Sequence, residues 1–306
     1  MAGYAAIGEC MIELSGNVGD QWRMGFAGDT FNTTWYARAL TASDYPVDYV
    51  TAFGDDPFSA RQRAFFAASG IGTAQSPIYE GTRPGLYAIT LEGAERSFTY
   101  WRSDSAARRL AADVESLSAS LSGRDLVYFS GVTLAILSPQ DRQALLSAIR
   151  DARARGSRIA FDPNFRPRLW ETADIARATV CAALRISDIA LPTFSDEVSL
   201  FGDSSPESTA IRLAELGVGE IVVKNGAEPA LVVDGHDRSW LPASPAQPID
   251  TTGAGDSFNG AYLAARLEGK GLAEAANRAH RVAALVIGVH GALAPVDLVR
   301  TAAARA

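Results

Sequence analysis

From residue 124 onward, short apolar runs alternate with patterns of helical period. "DLVYFSG" (residues 125–131) predicts a buried strand. "SPQDRQALLSAIRDARARG" after it predicts a helix, with Ser138 as its cap and Pro139 suited to the first turn. "RIAFDPN" (residues 158–164) predicts the next strand and residues 171–184 the next helix. "DIALPTF" and "EIVVKNG" repeat the strand pattern around the helical "SPESTAIRLAELG". Strand and helix alternating at this spacing predict an α/β fold with a mostly parallel central sheet and helices on both faces. Two helical patterns, starting at Asp256 and Leu272, close the chain, and the alanine-rich "TAAARA" predicts a frayed tail.

The N-terminal third has a different rhythm. "MAGYAAIGECMIEL" reads as a buried first strand. Residues 11–26 and 76–102 alternate in β-prone residues, with turn signals at "GNVGD" and "LEGAE". Helical patterns, "TFNTTWYARAL" and "FSARQRAFFAASG", lie between them. Two β-rich excursions that leave the α/β layer and return predict a small β-sheet lid, from about residues 12–26 and 76–102, within a single domain of residues 1–306. Such a lid would cover the carboxyl ends of the parallel strands, where open α/β folds bind ligands. There is no internal repeat.

Composition narrows the function. An apolar fraction of 47% and a charged fraction of 21% are those of a globular protein. The net charge of -7 argues against nucleic acid as the main partner. The two cysteines, Cys10 and Cys181, match no metal or redox spacing, and the three histidines form no HxxH or HExxH pattern. No apolar stretch approaches the roughly 20 residues needed to span a bilayer, and the N-terminus lacks a basic n-region. The expectation is a soluble, cytoplasmic protein without membrane or nucleic-acid partners.

The candidate chemistry lies in "IDTTGAGDSFNGAYLAARL" (residues 249–267). Gly253, Ala254 and Gly255 can bring successive backbone N–H groups around one point, and a helix beginning there adds amides without intrahelical acceptors. Phe258, Ala261, Tyr262 and Ala265 fall on one apolar face of that helix. Asp256 at its positive end is expected as a carboxylate. A carboxylate beside an anion hole can take a hydroxyl proton while the amides hold charge on a transferring group. Phosphoryl transfer needs little beyond such positioning. Taken alone, Gly-x-Gly-Asp is also a plain helix cap after a glycine turn. No P-loop and no strand-borne GxGxxG is present.

"DTTGAGDSFNGAYL" as a whole resembles the C-terminal signature of the ribokinase/PfkB family of carbohydrate kinases. "IGECMIEL", "GFAGDTFNT", "RPGLYAI", "FTYWRSDSAA", "SGVTLAILSP" and "FDPNFRPRLW" are similar, within that family, to the 2-keto-3-deoxygluconate kinases. The resemblance implies a ribokinase-like fold with a β-sheet lid. It also implies transfer of the γ-phosphoryl group of ATP to the terminal hydroxyl of 2-keto-3-deoxygluconate, giving 2-keto-3-deoxy-6-phosphogluconate. Asp256 would be the general base, with Gly253, Ala254 and Gly255 as the anion hole. Gly28, Asp29 and Asn32 would contact substrate hydroxyls, Tyr87, Tyr100 and Arg102 would close over the substrate from the lid, and Arg166 would approach the substrate or phosphate. Asn164, Lys224, Asn225 and Gly226 resemble the nucleotide side, although Lys224 reads equally as a solvated charge before an Asn-Gly turn. Mg²⁺ would accompany ATP, held chiefly by phosphates and water. Asp250 and Thr252 stand where some relatives bind a monovalent cation, here K⁺.

A carboxylate substrate calls for guanidinium groups and a keto acid for hydroxyl donors, which suits Arg102 and Arg166 with Tyr87 and Tyr100. A family kinase for fructose, ribose or a nucleoside is the nearest alternative; a silent sugar-binding protein is the alternative from another class. One departure from the family pattern is Ala27, where a Gly-Gly pair is usual; a need for positive φ there would cost roughly 1 kcal/mol. The free edges and apolar face of a lid sheet predict a homodimer through the lid, or a larger homo-oligomer.

Overall fold

The computed structural model describes residues 3–18, 21–92, 95–235 and 237–305. Its N-terminal part runs β1 (Tyr4–Ile7), β2 (Met11–Val18), β3 (Gln21–Ala27), α1 (Asp29–Leu40), β4 (Val47–Val50), β5 (Phe53–Gly54) and α2 (Pro57–Ala68). After these come β6 (Ile78–Tyr79), β7 (Leu86–Glu92), β8 (Glu95–Trp101) and α3 (Val114–Leu121). The middle comprises β9 (Leu126–Ser130), α4 (Gly131–Ala135), α5 (Pro139–Ala154), β10 (Arg158–Asp162), α6 (Ala173–Leu184), β11 (Ile189–Ala190), α7 (Phe194–Phe201) and α8 (Pro206–Glu215). The chain closes with β12 (Glu220–Val223), β13 (Ala230–Asp234), β14 (Asp237–Leu241), α9 (Ala254–Leu267), α10 (Leu272–Val286) and α11 (Val296–Ala304).

Eight strands form the main sheet in the order β14-β13-β12-β11-β10-β9-β1-β4. The six from β12 to β4 are parallel, and β13 and β14 extend one edge as an antiparallel hairpin. Period-two alternation splits the apolar residues between the faces. Ala5, Ile7, Val127, Phe129, Ile159 and Phe161 pack into one core, and Tyr4, Ala6, Leu126, Tyr128 and Ala160 into the other. Helices cover both, which is why these strands read as near-continuous apolar runs. The capping signals act as anticipated. Ser138 accepts from the Asp141 amide at 3.1 Å, and Asp56 caps α2 ahead of Pro57.

A separate four-stranded sheet, in the order β3-β2-β7-β8, forms the lid. Three expectations change here. The apolar start is two strands, not one: β1 lies in the main sheet and β2 in the lid, divided at residues 8–10. Residues 76–85 lie outside the lid, because Ile78–Tyr79 pairs with Phe53–Gly54 in a two-stranded sheet of its own. The alanine-rich end is no frayed tail as far as Ala304, since Ala302 and Ala303 are buried on α11. The tips of both turn signals fall at residues 19–20 and 93–94, outside the described residues.

Strand order reverses between β1 and β9, and the crevice beyond the carboxyl ends of such neighbours is where α/β sheets hold ligands. Here the backbone packs tightly. A Cβ on Gly8 would meet Thr30 Oγ1 at 2.1 Å, and one on Gly131 would meet the Pro163 carbonyl at 1.9 Å.

Candidate active site

Two helix N-termini face each other across that crevice. Gly253 turns the chain into α9 with a left-handed φ of 76°, and a Cβ there would press on the Ala292 carbonyl at 2.9 Å. Asp256 follows in the first turn of α9. Its Oδ2 accepts from the Nδ2 of Asn32, in the first turn of α1, at 2.8 Å. The Oδ1 of Asn32 accepts from the Gly28 amide at 3.3 Å, which fixes the orientation of the side chain. α1 and α9 come this close because a Cβ at Gly260 would collide with the Thr33 carbonyl at 2.4 Å.

The electrostatics of Asp256 differ from what its helix position alone suggests. Burial pushes its carboxyl up to about 7, and the carboxylates of Asp29 and then Asp162 add to the shift. The Asn32 hydrogen bond and the Lys224 charge oppose it without cancelling it. The helix terminus therefore does not hold Asp256 fully charged; it is poised near neutrality, where a general base works best. The amides of Gly255 and Asp256 belong to the helical turn that lacks intrahelical acceptors. The Ala254 amide instead donates to the Thr251 carbonyl at 3.3 Å, closing the turn. Of the three residues expected to form the anion hole, Ala254 thus has its donor engaged.

Beneath Asp256 lies a polar floor. Asp29 Oδ2 accepts from Ser130 Oγ at 2.6 Å and from Asn164 Nδ2 at 2.8 Å. Asn164 adopts a left-handed φ of 36° and donates its backbone N–H to Asp162 Oδ1 at 3.1 Å. Its side chain thereby braces Asp29. Lys224 is buried, with its Nζ 2.8 Å from Asp162 Oδ2 and 3.0 Å from Asn259 Oδ1. The solvated reading of Lys224 is overturned: burying an ammonium without a carboxylate would be costly, and Asp162 supplies one. A Cβ on Gly255 would lie 3.6 Å from that Nζ, so the lysine underlies the glycine turn. Asn225 and Gly226 form a turn closed by Glu228 N to Asn225 O at 3.0 Å, with no hydrogen bond to this cluster among the described residues. Arg166 is half-exposed and donates to Asp196 Oδ2 at 3.1 Å. Burial opposes its charge, but Asp196, Asp162 and Asp29 together hold it above the ordinary value.

The lid brings its own residues. Tyr87 is paired in register with Tyr100 on one side and Glu13 on the other. Its hydroxyl donates to Glu13, and burial, followed by that carboxylate, pushes the phenol up. The Tyr87 proton is therefore already committed, and the Tyr100 ring, 5.7 Å away, is exposed. Arg102 is ion-paired with the buried Glu9. Met11, Ala27, Tyr87 and Ile89 pack with Ala292, the residue whose carbonyl abuts Gly253, so the foot of the lid touches the turn before Asp256. A cavity of about 870 Å³ opens there, lined among others by Glu13, Ala27, Ile89, Arg61, Asp250 and Ala292. Ala27 carries no positive φ; it is an ordinary strand residue opposite Met11, and the strain expected of the missing glycine does not arise. Asp250 accepts from the Thr252 amide at 3.0 Å and the Gly291 amide at 2.7 Å, stapling two loops.

Sequence reasoning missed Asp162, Asn259, Ser130, Glu9 and Glu13. Asp162 alone carried a signal, standing at the carboxyl end of a buried strand. The others acquire a role through contacts 35 or more residues away.

The fold and this site define a sugar kinase, and the chain belongs to the pfkB family of carbohydrate kinases, whose description matches residues 1–298. It is 41% identical over 299 residues to the 2-dehydro-3-deoxygluconokinase of Escherichia coli K12, covering 95% of this chain and 96% of that one. Among solved structures, the 2-dehydro-3-deoxygluconokinase of Thermotoga maritima superposes with a TM-score of 0.86 at 20% identity, covering 100% and 98% of the two chains. A candidate Ribokinase II from E. coli, solved with ATP and Mg²⁺, gives a TM-score of 0.84 at 24% identity over 99% of both chains. The two structures share the ribokinase-like fold. Among the described residues no helix is long and apolar enough to cross a membrane.

Proposed function

We propose that this chain phosphorylates 2-keto-3-deoxygluconate at its terminal hydroxyl with ATP, giving 2-keto-3-deoxy-6-phosphogluconate and ADP. The observation that carries the reading is Asp256, oriented by Asn32 at the mouth of α9 and poised near 7. It takes the proton of the attacking hydroxyl. The oxygen then bonds the γ-phosphorus, the bond to the bridging oxygen of ADP breaks, and the proton leaves from Asp256 afterwards. The amides of the glycine turn hold negative charge on the transferring group, and Lys224 beneath Gly255 adds its charge. The glycine turn suits a nucleotide phosphate, because Gly253 adopts a conformation that a side chain would disfavour. Mg²⁺, bound with the phosphates, would neutralise their charge.

The choice of an acid sugar is supported by the names of the relatives and by two guanidinium groups, Arg102 and Arg166, near the site. Asp29 is in place to accept from substrate hydroxyls, with Gly28 and Asn32 around it. Tyr100 would donate its hydroxyl from the lid, and Tyr87 offers its oxygen as an acceptor. K⁺ at Asp250 and Thr252 and a homodimer through the lid complete the proposal, the second resting on the exposed Trp22, Phe98, Tyr100 and Trp101 of that sheet. The test is ADP release with ATP and Mg²⁺, comparing 2-keto-3-deoxygluconate with fructose, ribose and adenosine. A rate far higher with the keto acid supports the reading. Turnover of a neutral sugar alone would replace it with another kinase of the family, and no turnover with any would point to a silent sugar-binding protein.

A further inference from the structure

The chain leaves the main sheet for the lid through residues 8–10 and returns from it through residues 102–105. One buried carboxylate spans the two crossings. Glu9 is 3% exposed; its Oε2 accepts from Arg102 Nη2 and its Oε1 from Ser105 Oγ. Its surroundings leave it little room. A Cβ on Gly28 would come within 2.1 Å of the Glu9 carbonyl, and one on Gly85 within 2.8 Å of Oε1. Gly85 in turn accepts from the Ile12 amide at 2.8 Å, where β2 enters the lid. Glu9 is therefore wedged at the foot of the lid, held by contacts from the two ends of the β7–β8 hairpin and from the start of α1.

Arg102 is the other half of the arrangement. Among the described residues, Glu9 is the one hydrogen-bond acceptor of its side chain. The remaining guanidinium N–H groups have no protein partner there, although a guanidinium carries five donors. Arg102 follows the last residue of β8, and its guanidinium carbon lies 5.9 Å from the Tyr100 ring centroid. An arginine tethered through one amino group keeps its other edge for a second planar carboxylate. Tethering also removes rotamer freedom before the ligand arrives, which improves binding without adding a contact.

We infer that Glu9 is a positioning residue for acid-sugar recognition: it holds the Arg102 guanidinium across the foot of the lid so that the free edge receives the carboxylate of the substrate. This rests on the acid-sugar reading above. Glu9 touches no reacting atom and acts through Arg102. It also makes the pair neutral overall, so an anion is selected by directed hydrogen bonds rather than by net positive charge.

The test is steady-state kinetics of the full-length chain with ATP, Mg²⁺ and 2-keto-3-deoxygluconate, for wild type, E9Q, E9A, S105A, R102Q and E9Q/R102Q. Melting temperatures identify any variant that does not fold. The proposal expects the KM for the keto acid to rise about 10-fold in E9A. The rise should be smaller in E9Q, whose amide oxygen still accepts from Arg102, and smaller again in S105A. The KM for ATP and kcat should stay within about 3-fold of wild type. In the R102Q background, E9Q should have no further effect, because its route of action is gone. Equal or lower KM for the keto acid in folded E9Q and E9A overturns the proposal, since it would mean that Glu9 only repels the substrate. A full E9Q effect persisting without Arg102 also overturns it. If E9A does not fold, the E9Q, S105A and double-variant comparison decides alone. A wild-type chain inactive on the keto acid overturns the acid-sugar reading and this inference with it, and that outcome is visible before any variant is made.

Discussion

Asn32 donates its side-chain amide to Asp256 across 224 residues of sequence, joining the first turn of α1 to the first turn of α9. Both side chains stand in the first turn of a helix, so one short hydrogen bond aligns the proposed base with two helix N-termini. For Asp256→Asn the expected outcome is a fall in kcat of about 10³-fold, with KM for ATP and sugar within a few-fold. An amide keeps the shape but cannot take the proton. Near-normal turnover would remove Asp256 from the role of base.

The pH dependence follows from the same residue. With its carboxyl raised to about 7, kcat/KM should climb with pH through that value in the free enzyme. Stability of the ligand-free protein should move oppositely. Between the unfolded value near 4 and the folded value near 7, the folded state binds the extra proton, so stability falls as pH rises across that window. Asp256→Asn should abolish this slope and stabilise the protein at pH 8 by roughly 1–2 kcal/mol. Urea unfolding at pH 5 and pH 8 measures both effects, and a variant with an unchanged slope would assign it to another group.

Lys224→Met should leave Asp162 buried without its cation. The expected destabilisation is about 3–5 kcal/mol. Where the protein still folds, the ascending limb of its pH profile should shift to higher pH, because Lys224 opposes the upward shift of Asp256. A limb that stays in place would show that Lys224 serves stability alone.

Gly28→Ala probes the floor of the lid. Its Cβ would fall 2.1 Å from the Glu9 carbonyl, so backbone must move, at a cost of roughly 1–3 kcal/mol. The reverse change nearby, Ala27→Gly, should leave the sugar KM within about 2-fold, since Ala27 is an unstrained strand residue. Comparing the two KM values checks whether the second position, rather than the first, carries the steric demand.

Arg166→Ala should reduce the preference for the keto acid over a neutral sugar by about 10-fold or more in kcat/KM. Arg166 is half-exposed and shares its charge with Asp196, so the fold should tolerate the change. An unchanged preference would place recognition of the acid group elsewhere, with Arg102 the next residue to replace.

Much of the framework was legible because its signals are local. Apolar runs bounded by polar turns marked the strands, Ser138 and Pro139 marked α5, and the Gly-Ala-Gly-Asp pattern marked the turn into α9. What was not legible depends on packing between distant segments. The run from residue 1 to 14 is largely apolar apart from Glu9 and Glu13, and only the partners of β1 and β2 reveal that it changes sheet. Residues 76–85 share the β character of the lid, yet Ile78 finds its partner in Phe53. The state of Asp256 needed a sum over Asp29, Asp162 and Lys224, which no spacing rule supplies. The alanines near the C-terminus looked too weak to order themselves, but Val299, Ala302 and Ala303 bury against the core and hold the helix.

The contact between α1 and α9 also bears on how the molecule comes into being. A chain made from its N-terminus can lay down the lid strands and α1 early, while β1 waits for β9 before it is flanked on both sides. Asp256 joins Asn32 only after more than four-fifths of the chain exists. Loop closure over that span is slow to be rewarded. Catalytic competence should therefore be a late event in refolding, appearing after secondary structure has recovered and serving as a reporter that the whole architecture has closed.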